Sequence, residues 1–490
     1  MWKLRGQFFT TVRHQRWDEK SSRWIVELSR SSVPSGHAQG DQPKPETYTV
    51  RAQFLFLAGG VMTTPQYPQL NGLDHFRSST GKQVIHTARW DWTASGGSPS
   101  RPDLTRFQGK RVGIIGTGAT SVQVLPHLAK WAGHTYVFQR TPAYVAPHAQ
   151  QKTTLEDWEK IANEPSWQYT RMANLDACMT KEPVEDNLVG DGWTRVGCLS
   201  AFVGADHGIV RKDEAEAHTE RLLKSDARWA EEMRDRIDKT VKDASTAEKL
   251  KPWYPGFCRR PTFHDSYLEA FNSSSVTLVD TDGKGVTEYS ANGVVANGED
   301  YNLDVLILAT GYQVAYADSC PSSVVNAPLI GRNGRSLKDK WDAEDFGTVF
   351  GIATHGFPNL FFFSASGVGV SNNLNAVLST VTLTTARIVR EALSKAKVAD
   401  SAVIEVTKAY EDEYTDQVEE RSSWFSALPS CLPNGIFGTL GDTESSVEEQ
   451  AKKDRALARK STWGGGILGY QRLIERRSKR DGLDGFVITG

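Results

Sequence analysis

Residues 108–133 read QGKRVGIIGTGATSVQVLPHLAKWAG, and 134–142 continue as HTYVFQRTP. RVGII is a short continuous apolar run, GTG is a glycine turn, and apolar residues then recur at helical spacing as far as Trp131. A second β-branched and aromatic run, TYVFQ, follows at once. Strand, glycine turn, amphipathic helix and strand in this order predict a βαβ unit, and with it a parallel sheet of the dinucleotide-binding kind. That context gives Gly116-x-Gly118-x-x-Ser121 its meaning. The first glycine permits a tight turn, the second lets the backbone approach a pyrophosphate, and the helix N-terminus behind them favours negative charge. Ser121 stands where a third glycine would bring helix and strand closest.

The end of the second strand selects the nucleotide. An NAD site wants Asp or Glu there, to accept from the ribose hydroxyls. This strand ends in Gln139-Arg140-Thr141, with no acid in reach. A guanidinium in that place suits a 2′-phosphate in charge and in bidentate geometry, so the reading is NADPH.

Outward from this unit the chain changes character several times. Residues 7–28 read as a hairpin, 29–47 as a Ser/Gly/Pro loop, and 48–60 as a strand ending in a glycine turn. Between about 150 and 250 the sequence is charged, rich in Trp and in helix formers, and 218–244 carries apolar residues at helical spacing; this predicts a helical insertion. Residues 275–311 read as a meander with two tight turns and a final buried strand, and 374–397 as a helix. The last sixty residues are polar with glycine-rich breaks.

Composition bounds the function. A chain of 490 residues, 39% of them apolar, is long enough for at least two cores. A net charge of -2, with Lys and Arg spread along the chain, gives no reason to invoke nucleic acid or an anionic membrane. VLILA (305–309) and LFFF (360–363) are far too short to span a bilayer, and the start, MWKLRGQFF, has too short an apolar stretch for a signal peptide, so the expected location is the cytoplasm. Five cysteines without C-x-x-C spacing predict reduced thiols and no structural zinc. No metal ligand set is read from the sequence.

In GKQVIHTARWDWTASGG (81–97), His86 and Trp90 stand four apart. Spacing alone is equally that of a core histidine beside a core tryptophan. Yet His86, Trp90 and Asp91, just ahead of a glycine turn, resemble the fingerprint of Baeyer–Villiger monooxygenases, in which Phe and Gly precede His-x-x-x-Trp and Pro or Asp. The front half departs from it: Gly81 lies one residue too far from His86, Lys82 takes its place, and Thr80 stands where Phe belongs. LAGGVMTTPQYPQLNGL (57–73), the glycine-turn unit, FCRRPTFHDSYLEAFN (257–272), LDVLILATGY (303–312) and GFPNLFFF (356–363) are similar to further passages of the same family. The resemblance covers roughly residues 5–400 and is nearest to tailoring enzymes of fungal polyketide and meroterpenoid pathways.

The resemblance implies an α/β fold with two dinucleotide-binding lobes: 1–67 and 319–490 forming an FAD lobe, 68–318 an NADP lobe carrying the insertion. It implies that Gly116, Thr117, Gly118, Ala119, Thr120, Ser121 and Gln123 meet the NADP phosphates, and that Arg140, Thr141 and Arg259 face the 2′-phosphate. Arg260 becomes the active-site arginine, and Val12 and Asn373 contact FAD. The implied reaction uses FAD, NADPH and O2; a peroxyflavin inserts one oxygen beside a ketone to give an ester or lactone. Heteroatom oxygenation or hydroxylation by the same species is the alternative within that chemistry. No Gly-x-Gly-x-x-Gly turn precedes Gly116. The FAD lobe therefore reads as N-terminally incomplete, either because the sequence given starts late or because the chain binds NADP without flavin chemistry.

Overall fold

The computed structural model describes residues 5–31, 44–60, 62–197, 199–313, 320–431, 446–480 and 482–490. Most of the loop expected at 29–47, and Cys198, lie outside them.

Five parallel strands carry the first lobe: β5 (Gln83–His86), β6 (Arg111–Ile115), β7 (His134–Gln139), β10 (Val276–Asp280) and β14 (Val305–Leu308), in spatial order β10-β7-β6-β14-β5. The helix Ala119–Trp131 connects β6 to β7, as the glycine-turn reading requires. Both faces of this sheet are covered, which explains the unbroken apolar runs. Val305 and Ile307 join Val112, Ile114, Leu125, Leu128 and Val137 on one side. Leu306 and Leu308 join Phe138, Val279, Tyr289 and Val294 on the other. Gly113 is dictated by packing: a Cβ there would lie 2.4 Å from Leu303 Cδ1.

The expected meander is divided between two sheets. β10 and β14 belong to the parallel sheet, while β11 (Glu288–Tyr289), β12 (Gly293–Ala296) and β13 (Glu299–Asn302) form an antiparallel crossover lying on it. The strand expected at 48–60 is likewise split into β3 (Glu46–Ala52) and β4 (Leu55–Leu57), in different sheets. Periodicity does not report a bend that sends one run into two partners.

The second lobe is built from both ends of the chain. β1 (Thr10–Asp18) and β2 (Arg23–Arg30) form the expected hairpin, extended by β3 on one side and by β15 (Leu329–Ile330), parallel to β1, on the other. Trp24, fully buried, donates its Nε1–H to Pro358 O at 2.8 Å and anchors this sheet to the C-terminal third. β4 pairs in parallel with β16 (Leu360–Phe362). The polar tail, left without elements by sequence reasoning, contributes a helix at Gly466–Arg480 and β18 (Phe486–Thr489), antiparallel to β17 (Val403–Val406).

The insertion is helical, with Trp167–Thr180 and Ala215–Thr240 its longest helices. Met179, Val196, Leu199, Leu222 and Trp229 pack against Tyr144, Tyr254, Phe257 and Cys258, placing the insertion directly behind the segment that carries Arg259 and Arg260. No helix among the described residues is long and apolar enough to cross a membrane.

Candidate active site

Gly116 adopts φ +105°, and a Cβ there would lie 2.7 Å from Ala309 O, so close approach to β14 and backbone sign both require glycine. At Gly118 a Cβ would meet nothing within 4 Å: its surface is open. No side chain caps the helix that begins at Ala119, which leaves its first backbone N–H groups for a ligand. Thr117 is buried and donates its hydroxyl to Thr141 O at 2.7 Å, pinning the glycine turn to the end of β7. Ala119, Thr120 and Gln123 are exposed on the first turns, and Gln123 folds its amide back onto Ala119 O (2.9 Å). Ser121 is buried where the third glycine would stand, its hydroxyl unpaired.

In front of this turn lies a cleft of about 1060 Å³ at the ends of β6, β7 and β14, closed by segments around Gln66, Lys284 and Ser323. Gly116, Thr117, Gly118, Arg140, Thr141 and Arg259 all line it, though Arg259 lies over a hundred residues from the glycine turn in sequence. Arg259 is half-buried, 5.2 Å over the Tyr254 ring, with Nη2 3.4 Å from Thr141 Oγ1. Burial lowers its pKa; Tyr254 opposes this and the charge of Arg140 adds to it. A guanidinium nonetheless stays charged. The cleft therefore presents open backbone donors at one end and cations at the other, the complement of a phosphorylated dinucleotide.

The arginine segment is held on both sides. Tyr254 donates its hydroxyl to Pro142 O (2.7 Å) and accepts at its carbonyl from Tyr144 OH (2.6 Å). Gly256 N–H donates to the buried Asp226 carboxylate at 2.9 Å. Beyond the arginines, β9 (Thr262–Phe263) pairs in parallel with β8 (Val145–Ala146). Just before them, Cys258 forms a disulfide with Cys431. This corrects the expectation of reduced thiols: spacing rules test neighbours in sequence, and these two cysteines are 173 residues apart. Cys178 and Cys320 are free and buried.

Arg260 is exposed, its guanidinium 5.6 Å from the Trp193 ring of the insertion. It makes no ion pair among the described residues. With Thr117, Gly118, Thr141 and Arg259 it lines a second cavity of about 60 Å³, contiguous with the cleft through those shared residues.

The fingerprint residues stand behind the cleft. His86 is buried at the end of β5; its Nδ1 accepts from Ala88 N–H (3.1 Å), so the neutral ring carries its proton on Nε2, 3.3 Å from both Gln66 O and Thr310 Oγ1. Burial lowers its pKa; the bond to Gln66 opposes this and Arg89 adds to it. Gln66 and Thr310 line the cleft, so His86 braces its wall without entering it. Trp90 donates to Ser95 Oγ and Asp91 caps Trp92–Ser95; neither lines the cleft.

Val12 and Asn373 lie elsewhere. Val12, on β1 opposite Leu28, packs against the Trp17–Trp24 cluster. Asn373 is the N-cap of the 22-residue helix Leu374–Lys395 and donates its N–H to Ser371 Oγ, which donates to Asp176 Oδ1 at 2.5 Å. Two buried polar atoms beside this N-terminus have no partner: Asn372 Nδ2 and Asp176 Oδ2. A free buried amide donor at a helix N-terminus fits an acceptor edge of a flavin ring. Burial pushes the Asp176 carboxyl up to about 7, against the bond from Ser371.

Sequence reasoning missed Lys284, Trp193 and Asp176. Lys284 sits in a turn whose only local signal is DGKG, and its place beside Arg140 follows from a strand order that sequence does not display.

No family model matches the chain. It is 38% identical over 497 residues to the polycyclic ketone monooxygenase of Thermothelomyces thermophilus, covering 100% of this chain and 74% of that protein. It is 34% identical to FAD-binding monooxygenase ausC of Aspergillus calidoustus, covering 99% of this chain and 70% of the relative. The solved structure of the Thermothelomyces thermophila polycyclic ketone monooxygenase superposes with TM-score 0.89 at 37% identity, over 98% of this chain and 73% of that one. A steroid monooxygenase bound to NADP shares the fold, with TM-score 0.65 at 23% identity.

Proposed function

The chain belongs to the Baeyer–Villiger monooxygenases, and from that premise we propose that its cleft binds NADPH, that Arg260 serves the oxygenation step, and that its substrate is a polycyclic ketone. The enzyme is a flavoprotein monooxygenase of fungal secondary-metabolism type that uses FAD, NADPH and O2. The overall reaction takes ketone, O2, NADPH and a proton to ester or lactone, NADP⁺ and water. FAD, reduced by NADPH, supplies the activation of O2 that amino-acid side chains cannot.

What this chain contributes is placement. The turn at Gly116–Gly118 and the uncapped helix behind it offer backbone donors to the nucleotide's phosphates. Arg140, Thr141 and Arg259 hold the 2′-phosphate. Asn372, Asn373 and the N-terminus of the 374–395 helix meet the flavin ring, and Val12 lines the FAD lobe from the hairpin. Arg260 keeps a positive charge where negative charge develops on the substrate's carbonyl oxygen, and an exposed guanidinium without a carboxylate is free to do so. The carrying observation is that the glycine turn, both arginines and Thr141 line two contiguous cavities. In this reading 1–67 and 319–490 form the FAD lobe and 68–318 the NADP lobe.

The polycyclic substrate is supported by the name and 38% identity of the Thermothelomyces relative. Incubation of the FAD-loaded protein with NADPH, ¹⁸O₂ and a panel of polycyclic and monocyclic ketones tests it. One ¹⁸O atom in a lactone formed from the polycyclic members is the expected result; exclusive turnover of monocyclic ketones or of amines and sulfides overturns it. A cytoplasmic location belongs to the same reading, and the Cys258–Cys431 disulfide stands against a reducing compartment. Thiol trapping in fractionated cells decides between them.

A further inference from the structure

We propose that Lys284 is a specificity residue for the 2′-phosphate of NADPH, closing from the β10 side a cradle whose other walls are Arg140 and Arg259. The inference rests on the reading of the cleft as an NADPH site.

Strand order puts Lys284 there. β10 lies beside β7 in the register Val279↔Phe138 and Asp280↔Gln139, so the turn after Asp280 emerges next to Arg140. That turn is firmly held. Thr281 donates both its N–H (2.9 Å) and its hydroxyl (2.7 Å) to Gln139 O, and the same hydroxyl oxygen accepts from Gly285 N–H at 2.8 Å. Lys284 N–H donates to Thr281 O at 3.0 Å. Asp282 (φ +47°) and Gly283 (φ +80°) supply the left-handed pair that such a tight turn requires. A Cβ on Gly285 would lie 3.8 Å from Arg140 Cδ, which shows the arginine lying against this loop. Lys284 lines the same cleft as Arg140 and Arg259.

The charges point the same way. Arg111, at the opposite end of β6, is paired with Asp304 at 3.0 Å. Arg140, Arg259 and Lys284 form no ion pair among the described residues. The acids closest in sequence to Lys284 are Asp280, which accepts from Gln139 Nε2 at 3.1 Å, and the exposed Asp282 and Glu288. Three unpaired cations lining one cleft repel one another until an anion arrives. A 2′-phosphate is that anion; the 2′-hydroxyl of NADH is not. An ammonium on a flexible stem also complements two planar guanidinium forks, because it meets a phosphate oxygen from a direction the forks leave open.

The test is calorimetric titration of the purified protein with 2′,5′-ADP and 5′-ADP, and with NADP⁺ and NAD⁺. It uses wild type, Lys284→Gln, Lys284→Arg and Arg140→Ala, with thermal unfolding to confirm the fold. Lys284→Gln should cut the preference for 2′,5′-ADP over 5′-ADP about three- to tenfold and leave 5′-ADP binding unchanged, the size expected of one partly solvated charge pair. Lys284→Arg should restore most of it. If Lys284→Gln keeps the wild-type preference, or weakens both ligands equally, Lys284 is a solvated turn residue and the inference falls while the NADPH reading stands. If wild type itself binds the two ligands alike, the NADPH reading falls and the inference with it.

Discussion

Two of the parallel sheets make an instructive pair. The five-stranded sheet β10-β7-β6-β14-β5 is covered on both faces, and its strand ends and the turns that leave them deliver the glycine turn, Arg140, Thr141 and Lys284 to the cleft. The β4–β16 sheet has two strands among the described residues, and Phe56 on it is 53% exposed, stacked on Phe361. Beside the 374–395 helix, Asn372 Nδ2 and Asp176 Oδ2 are buried without partners. One region lines an open cleft with cations that form no ion pair among the described residues; the other keeps a buried donor and a buried acceptor beside a helix N-terminus. The difference is one of exposure: the cleft presents its charges to solvent, and the 374–395 helix end keeps its unpaired polar atoms buried.

The arginine segment joins the two, and breaking it separates them most sharply. In the FAD-loaded enzyme, Arg260→Ala should lower ketone oxygenation about 10²–10³-fold, the usual loss for one electrostatic contact to developing charge. NADPH oxidation should continue with release of hydrogen peroxide. Rapid-mixing spectra of the two half-reactions check this, and a variant that fails at flavin reduction would move Arg260 into nucleotide positioning.

Next in size is the covalent tie. Cys431→Ser removes the cross-link between the arginine segment and a residue 173 positions away, and should destabilise the protein by about 2–4 kcal/mol. Thermal unfolding with and without a dithiol reductant measures it: wild type should fall to the variant's Tm when reduced, and the variant should not respond.

A smaller effect isolates the cleft. Arg140→Ala should weaken NADPH binding by about 1.5–3 kcal/mol while leaving NADH nearly unchanged. Equal losses for both nucleotides in a titration would remove Arg140 from the 2′-phosphate site.

The smallest concerns the flavin side. The Asp176 carboxyl, raised to about 7 by burial, binds its proton more tightly in the folded chain than in the unfolded one. Its contribution is therefore complete in acid and declines as pH rises from the ordinary carboxylate range to about 7. Asp176→Asn should remove that decline, worth about 1–2 kcal/mol once relaxation around a buried carboxyl is allowed for. Parallel pH–Tm profiles of the two proteins test it; parallel curves with no convergence in acid would show that Asp176 is already ionised in the fold.

The sequence by itself determined the βαβ unit, its glycine turn and the helical insertion, because each is written in contiguous residues through spacing, turn chemistry and composition. It also marked Arg259 and Arg260, through resemblance. What it did not display was adjacency. The splitting of 48–60 into β3 and β4, the separation of β10 and β14 from the crossover between them, the Cys258–Cys431 bond, and Lys284 beside Arg140 all depend on which elements become neighbours. Local patterns arise from a residue's own backbone and its near neighbours. Strand order and disulfide pairing are settled by burial of whole faces, and that is a property of the assembled chain.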